Sequence, residues 1–156
     1  MGDKCDKLRP SLIFAKGLLG ERDIVGVEVG VDEGEHANRI LLEWSNVKKL
    51  YLVDIVDNIH DRFKAEGDRV EFLYESSVEA SKRFQDNTLD FVYIDDDHSK
   101  KGATNSLSSW YPKIKIGGVI GGHDFGGEVE EAVREFFVKN DISLYVGGPD
   151  FWGIKR

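Results

Sequence analysis

Two short stretches hold the residue types best suited to chemistry: Asp95-Asp96-Asp97-His98 and His123-Asp124. Such a grouping serves one of two tasks. An imidazole titrates near neutral pH and acts as a general base, with a carboxylate orienting its ring. Alternatively, carboxylate oxygen and imidazole nitrogen together ligate a divalent cation. Each stretch follows an apolar run, Phe91 to Ile94 and Val119 to Gly121. If these runs are adjacent parallel strands, their carboxyl ends bring both stretches to one edge of a sheet, where ligands bind in such folds. Carboxylates so crowded raise one another's pKa and repel unless a cation, a bound ammonium or solvent separates them. A divalent cation is the economical answer. Without one, His98 or His123 is the natural base and Asp124 its orienting partner. The bland alternative stands beside both: Asp95 faces a ligand, Asp96 and Asp97 are solvated, and His123 with Asp124 only bonds to neighbouring loops.

A second constellation lies upstream in V-E-V-G-V-D-E-G-E-H-A. Gly30 suits a tight turn after a strand, and Gly34 suits a close approach of the next helix to a ligand; a glycine at the first position also simply ends a strand. Charge discriminates further. A dinucleotide loop reads G-x-G-x-x-G, but here Asp32 replaces the second glycine and Glu33 follows it, so a pyrophosphate would be repelled. The next apolar run, L-Y-L-V, ends in Asp54, placed to accept hydrogen bonds from a ribose diol, with Ile55 then lying against the base. Asp54 as a helix cap is the competing assignment, although Asp57 precedes a helical stripe and is the better cap. In E-S-S-V-E, Ser77 either reaches an adenine nitrogen or caps the helix beginning at Val78.

The elements that must position these residues follow from periodicity. Short apolar runs predict strands at Ile24 to Val29, Leu50 to Val53, Val70 to Tyr74, Phe91 to Ile94 and Val119 to Gly121, as expected for strands buried on both faces. Helical stripes lie between them at Glu35 to Trp44, Ile59 to Ala65, Val78 to Phe84, Lys101 to Trp110 and Glu128 to Lys139. This alternation is the signature of βαβ units and a mostly parallel sheet. Ile142 to Val146 and Phe151 to Lys155 are joined only by Gly-Gly-Pro-Asp, too short for a crossover, and so pair antiparallel. The expected organisation is one domain over 1–156: a core at 24–156 and a helical extension at 1–23, whose Leu12, Ile13, Phe14, Leu18 and Leu19 pack on the core or lid the site.

Composition narrows the function classes. Lysine and arginine number 21 against 29 acidic residues, a net charge of −8, so nucleic acid is not an expected partner. The pairs Lys48-Lys49 and Lys100-Lys101 read as solvated helix ends or loops. Cys5 is the only cysteine, which excludes an internal disulfide or a cysteine-built zinc cage and fits a reducing, cytoplasmic setting. The charged opening lacks the apolar core of a signal peptide, and no run reaches membrane-spanning length. A myristoylation motif at Gly2 fails at Asp6, where Ser or Thr is required.

Taken in order, I-D-D-D-H at the end of the fourth strand and G-G-V-I-G-G-H-D at the fifth, a G-G-x-x-x-x-H-D-like turn, resemble the class I S-adenosylmethionine-dependent methyltransferases, in particular the group of small-molecule and sugar O-methyltransferases (methyltransferase 24-like). The resemblance implies a Rossmann-like α/β fold with a seven-stranded sheet of order 3-2-1-4-5-7-6. It implies S-adenosylmethionine as cofactor, whose ammonium and sulfonium suit Glu28 and the acidic loop. Cofactor contacts are expected at Glu28, Gly30, Val31, Gly34, Asp54, Ile55, Ser76, Ser77 and Asp95. By the same resemblance Asp95, His123 and Asp124 are the candidate metal ligands. A histidine at 123 stands where an acid is common, so manganese, iron or zinc suits the set at least as well as magnesium. The implied reaction is methylation of a small acceptor, at oxygen by resemblance alone, with His98, His123 and Asp124 as catalytic candidates; a homo-oligomer is compatible with it. A non-catalytic cofactor-binding module or subunit and a metal-dependent hydrolase are the competing functions.

Overall fold

The computed structural model describes residues 5–59 and 61–156; the myristoylation motif at Gly2 therefore lies outside the described residues. The elements run α1 (Pro10–Leu19), β1 (Ile24–Val29), α2 (Glu35–Glu43), β2 (Val47–Asp54), β3 (Val70–Tyr74), α3 (Ser77–Ser81), β4 (Leu89–Ile94), α4 (Lys100–Trp110), β5 (Ile114–Gly122), α5 (Gly127–Lys139), β6 (Tyr145–Gly147) and β7 (Asp150–Ile154). Among the described residues the strands form one sheet of order β3-β2-β1-β4-β5-β7-β6. The first five are parallel, and β7 pairs antiparallel with both β5 and β6. This is the expected Rossmann-like order with its C-terminal antiparallel hairpin.

Strand alternation divides the core between the two faces of the sheet. Val92 and Ile94 of β4 join Val27 and Val29 under Leu107 and Trp110 of α4 and Val133 and Phe137 of α5. Phe91 and Tyr93 point the other way, toward Ile40 of α2, Trp44 just after it, and Leu12 and Ala15 of α1. All six residues of β4 are buried, which is why this stretch reads as a continuous apolar run. The N-terminal segment does both things expected of it: Leu12, Ala15 and Leu19 are buried against the sheet, while Ile13 and Leu18 are exposed, and Cys5 and Arg9 border the cleft at the carboxyl edge of the sheet. No helix among the described residues is long and apolar enough to cross a membrane.

Several boundaries differ from expectation. The stripe at 59–65 crosses position 60, outside the described residues; around it lie turns and a 3-10 helix, Lys64–Arg69, broken at Gly67 with φ +54°. Asp57 therefore caps no α-helix: seven residues are too few to sustain one without strong packing. Ile59 and Phe63 are nonetheless buried, and Arg62 bonds to Glu33 O and to Glu35 Oε1, so the loop is anchored to the core and to the start of α2. The helix expected at Val78 to Phe84 is only Ser77–Ser81, capped by Ser76, whose Oγ accepts from Glu79 N at 3.3 Å. Ser76 and Glu79 have the S-x-x-E spacing of a capping box, one residue before the Ser77–Ala80 pair at which that spacing fails. Strand β6 is shorter than Ile142 to Val146, because Ile142 turns into the core beside Phe137 and only Tyr145–Gly147 reach β7.

Candidate active site

The carboxyl ends of β1, β2, β4 and β5 open into a cleft of about 1340 Å³, more than the ~300–1,000 Å³ of a typical small-molecule pocket. Of the expected site residues, all but Gly34 line it. Gly34 has φ +80°, and a Cβ there would meet the Phe63 ring at 2.9 Å. The turn and the Phe63 ring thus both call for a glycine at this position. Gly30 has φ +83°, and a Cβ there would lie 2.0 Å from the Asp95 carbonyl oxygen. That contact, with the hydrogen bond from Asp95 N to Val29 O at 2.7 Å, sets the end of β4 directly against the first turn.

Asp54 holds the loop after β1 in place. Its Oδ2 accepts from Val31 N at 2.8 Å and Asp32 N at 3.0 Å, and its Oδ1 accepts from Val56 N at 3.1 Å. Carboxylate oxygens have further lone pairs to offer, so the same group can face a diol while it fixes the loop that faces the other end of a ligand. Glu28 and His36 form a buried pair, Oε1 to Nδ1 at 2.8 Å, with residues only 2 % and 9 % exposed. Glu28 Oε2 and His36 Nε2 have no hydrogen-bond partner among the described residues. Unpaired buried polar atoms are unfavourable, and both residues line the cleft. Sequence reasoning missed His36, although it shares a helix face with Ile40 one turn later and so had to point inward.

Ser77 lies inside a chain of side chains rather than free in the cleft. Trp110 Nε1 donates to Ser77 Oγ at 2.9 Å, Ser77 Oγ lies 2.8 Å from Ser106 Oγ, and Ser106 Oγ donates to Asp96 Oδ2 at 2.8 Å. Ser106 spends its one hydrogen on Asp96, so Ser77 must donate to Ser106. The Ser77 hydroxyl therefore has no hydrogen left for an adenine nitrogen, and only its main-chain amide remains to donate. The Ser77 side chain is therefore not the cap of α3, which is Ser76. Asp96 is anchored at the end of this chain instead of solvated, whereas Asp97 is exposed and accepts from Ser99 N at 2.9 Å.

At the reaction edge, His98 Nε2 lies 2.9 Å from Asp124 Oδ2 and 3.5 Å from Asp95 Oδ1. Among the described residues, ligand atoms of Asp95, His98 and Asp124 all fall within 4.8 Å of one another. The set expected as Asp95, His123 and Asp124 is thus drawn together with His98 in place of His123. His123 has another partner: its Nδ1 lies 3.0 Å from Asp150 Oδ1, with Nε2 3.8 Å from Asp124 Oδ1. Asp150 was missed because, in Gly-Gly-Pro-Asp, an aspartate reads as a turn residue. The donor types in the cluster fit a divalent cation.

Burial raises the Asp95 carboxyl to about 7, with His123 opposing and Asp124 and Glu28 adding to the rise. The hydrogen bond to Asp150 raises His123, against burial. A carboxyl that binds its proton more tightly when folded contributes stability at low pH and loses it as pH climbs from about 4, the ordinary unfolded value, toward 7. Asp95→Asn should therefore match the parent near pH 4 and exceed it by about 1–3 kcal/mol at pH 8 after solvent screening of the partly exposed group. Urea unfolding of both proteins across that range is the check; a constant difference would remove Asp95 as the cause.

Residues 27–125 match the family model described as methyltransferase domain. No curated protein matches the chain at a significant level. Among solved structures, a spermidine synthase from Thermotoga maritima superposes with a TM-score of 0.69 at 16 % identity, over 96 % of this chain and 58 % of that one. A putative methyltransferase from Streptococcus mutans in complex with SAH (S-adenosylhomocysteine) gives 0.69 at 13 % identity, covering 93 % and 96 %. An SAM-dependent (S-adenosylmethionine-dependent) O-methyltransferase from Thermotoga maritima gives 0.68 at 12 % identity, covering 93 % and 64 %. At such identities these likenesses establish the fold, and the chain spans little more than half of the spermidine synthase. The family match covers more than half of the sequence and includes the ends of β1, β2, β4 and β5, so the protein belongs to the class I S-adenosylmethionine-dependent methyltransferases.

Proposed function

We propose that the protein transfers the methyl group of S-adenosylmethionine to an oxygen of a small, sugar-sized acceptor. The observation that carries this is the continuity of one cleft, which joins Glu28 and Asp54 at one end to Asp95, His98, His123 and Asp124 at the other. Its walls hold many carboxylates, and Arg9 is the one lysine or arginine among the described lining residues. That field favours a cationic nucleoside over a dinucleotide. Glu28 Oε2 is free to receive an ammonium and Asp54 a ribose diol; Gly30, Val31, Ile55, Ser76 and the Ser77 amide complete the cofactor wall. The cofactor supplies an electrophilic methyl on sulfonium. The chain's contribution is to align the acceptor with it and to remove a proton.

His123 takes the role of base through Nε2, and Asp95, His98 and Asp124 take the role of metal ligands. A divalent cation held by them would supply a Lewis acid that eases loss of the hydroxyl proton. The described chain acts as one domain, with α1 part of its core, in a cytosolic setting consistent with the lone Cys5. Its acidic cleft suits a small molecule and not nucleic acid, and homo-oligomerisation is compatible with this arrangement.

Calorimetry with S-adenosylmethionine, S-adenosylhomocysteine and NAD tests the cofactor: the first two should bind and NAD should not, and failure of both would end the proposal. Labelled methyl transfer to panels of hydroxylated and amine acceptors tests the oxygen assignment. It should stop on chelation and rise with pH as the base form of His123 appears. Transfer confined to amines, or full transfer after exhaustive chelation, would refute the oxygen or the metal assignment respectively.

A further inference from the structure

Asp150 begins β7, away from the loops that carry the reacting residues, yet it is the most heavily committed carboxylate at this edge. Its residue exposure is 0 %. Oδ2 accepts from Ser11 N at 3.1 Å and Ser11 Oγ at 2.7 Å, both on α1. Oδ1 accepts from Tyr93 Oη of β4 at 3.1 Å and lies 3.0 Å from His123 Nδ1, just after β5. A buried carboxylate must have its lone pairs met, and here three separate elements meet them.

We infer that Asp150 is the positioning residue of the reaction site: it fixes His123 as the Nδ1–H tautomer and turns the Nε2 lone pair toward Asp95 and Asp124. An ionised carboxylate only accepts, so the imidazole nitrogen facing it must carry the hydrogen, and the neutral ring keeps its lone pair at Nε2. Tyr93 and Ser11 hold Asp150 itself against rotation. The Ser11 bonds also make α1 part of the machinery that aims the ring, a role separate from its apolar packing. The inference rests on the proposed placement of His123 at the reacting edge, but its test needs no acceptor.

Asp150→Asn is the informative variant because the direction of its amide is dictated. Ser11 N can only donate, so the asparagine oxygen must stay on the Ser11 side and the NH₂ must face His123 Nδ1. The ring then has to accept at Nδ1 and carry its hydrogen on Nε2, the wrong face for a base or a ligand. In ¹⁵N-labelled full-length protein, at a pH where the ring is neutral, two-bond ¹H–¹⁵N correlations report which nitrogen is protonated. Loss of the signals in His123→Gln assigns them. The parent should show a protonated Nδ1 and a bare Nε2; folded Asp150→Asn should show the reverse; Ser11→Ala, which keeps its main-chain donor, should match the parent. A parent ring protonated at Nε2 would overturn the inference whether or not Asp150→Asn folds, as would a folded Asp150→Asn with the parent's tautomer. Failure to bind S-adenosylmethionine with the tautomer as expected would instead fell only the proposed function.

Discussion

Asp54→Ala should lower S-adenosylmethionine affinity by about ten- to a hundredfold, or about 1.5–3 kcal/mol. Two losses combine. A charged acceptor for the ribose disappears, and the loop after β1 loses the carboxylate that receives Val31 N and Asp32 N. Both main-chain donors then need water, and the segment beneath the cofactor loosens. Asp54→Asn separates these contributions, since its oxygen can still face the two loop amides while its NH₂ cannot accept from Val56 N or from a diol. Isothermal titration of the three proteins should rank affinity as parent, then Asn, then Ala. Parent-like affinity in folded Asp54→Ala would reject the ribose assignment.

The largest stability effect is expected at Gly30. A Cβ at φ +83° is strained in itself, and the atom it would strike is the main-chain oxygen of Asp95 at 2.0 Å. A carbonyl at the end of a central strand cannot swing aside as a side chain can. Left-handed strain and overpacking together imply about 3 kcal/mol or more for Gly30→Ala, roughly 6–12 °C in Tm for a domain of this size. Gly34→Ala is the matched comparison, with nearly the same φ but only the Phe63 ring at 2.9 Å to displace. Thermal melts should place Gly30→Ala well below Gly34→Ala; equal melting temperatures would mean that the approach of β1 to β4 is not the constraint.

The candidate site was legible to the extent that its chemistry is tied to strand ends. Asp54, Asp95, His123 and Asp124 each follow an apolar run, and a parallel sheet brings the carboxyl ends of its strands to one edge. Residues whose roles depend on side-chain partners were not legible. Ser76 and Ser77 are adjacent hydroxyls, and although the S-x-x-E spacing favours Ser76 as the cap of α3, only tertiary packing commits Ser77 to Trp110 and Ser106. Asp96 and Asp97 are identical in type, yet one ends a buried hydrogen-bond chain and the other is exposed.

What the sequence by itself determined is therefore the order and type of the long elements, the family, and the strand ends that carry acids and imidazoles, because local periodicity and strand-end position are properties of neighbouring residues. The tertiary structure alone decided which imidazole meets which carboxylate. His98 reaches Asp124 and Asp95, while His123 is claimed by Asp150, 27 residues later on a hairpin that returns β7 to the side of β5. Hydrogen-bond partners at that separation are set by how the sheet closes and which side chains its core leaves room for, and no periodicity along the chain encodes them.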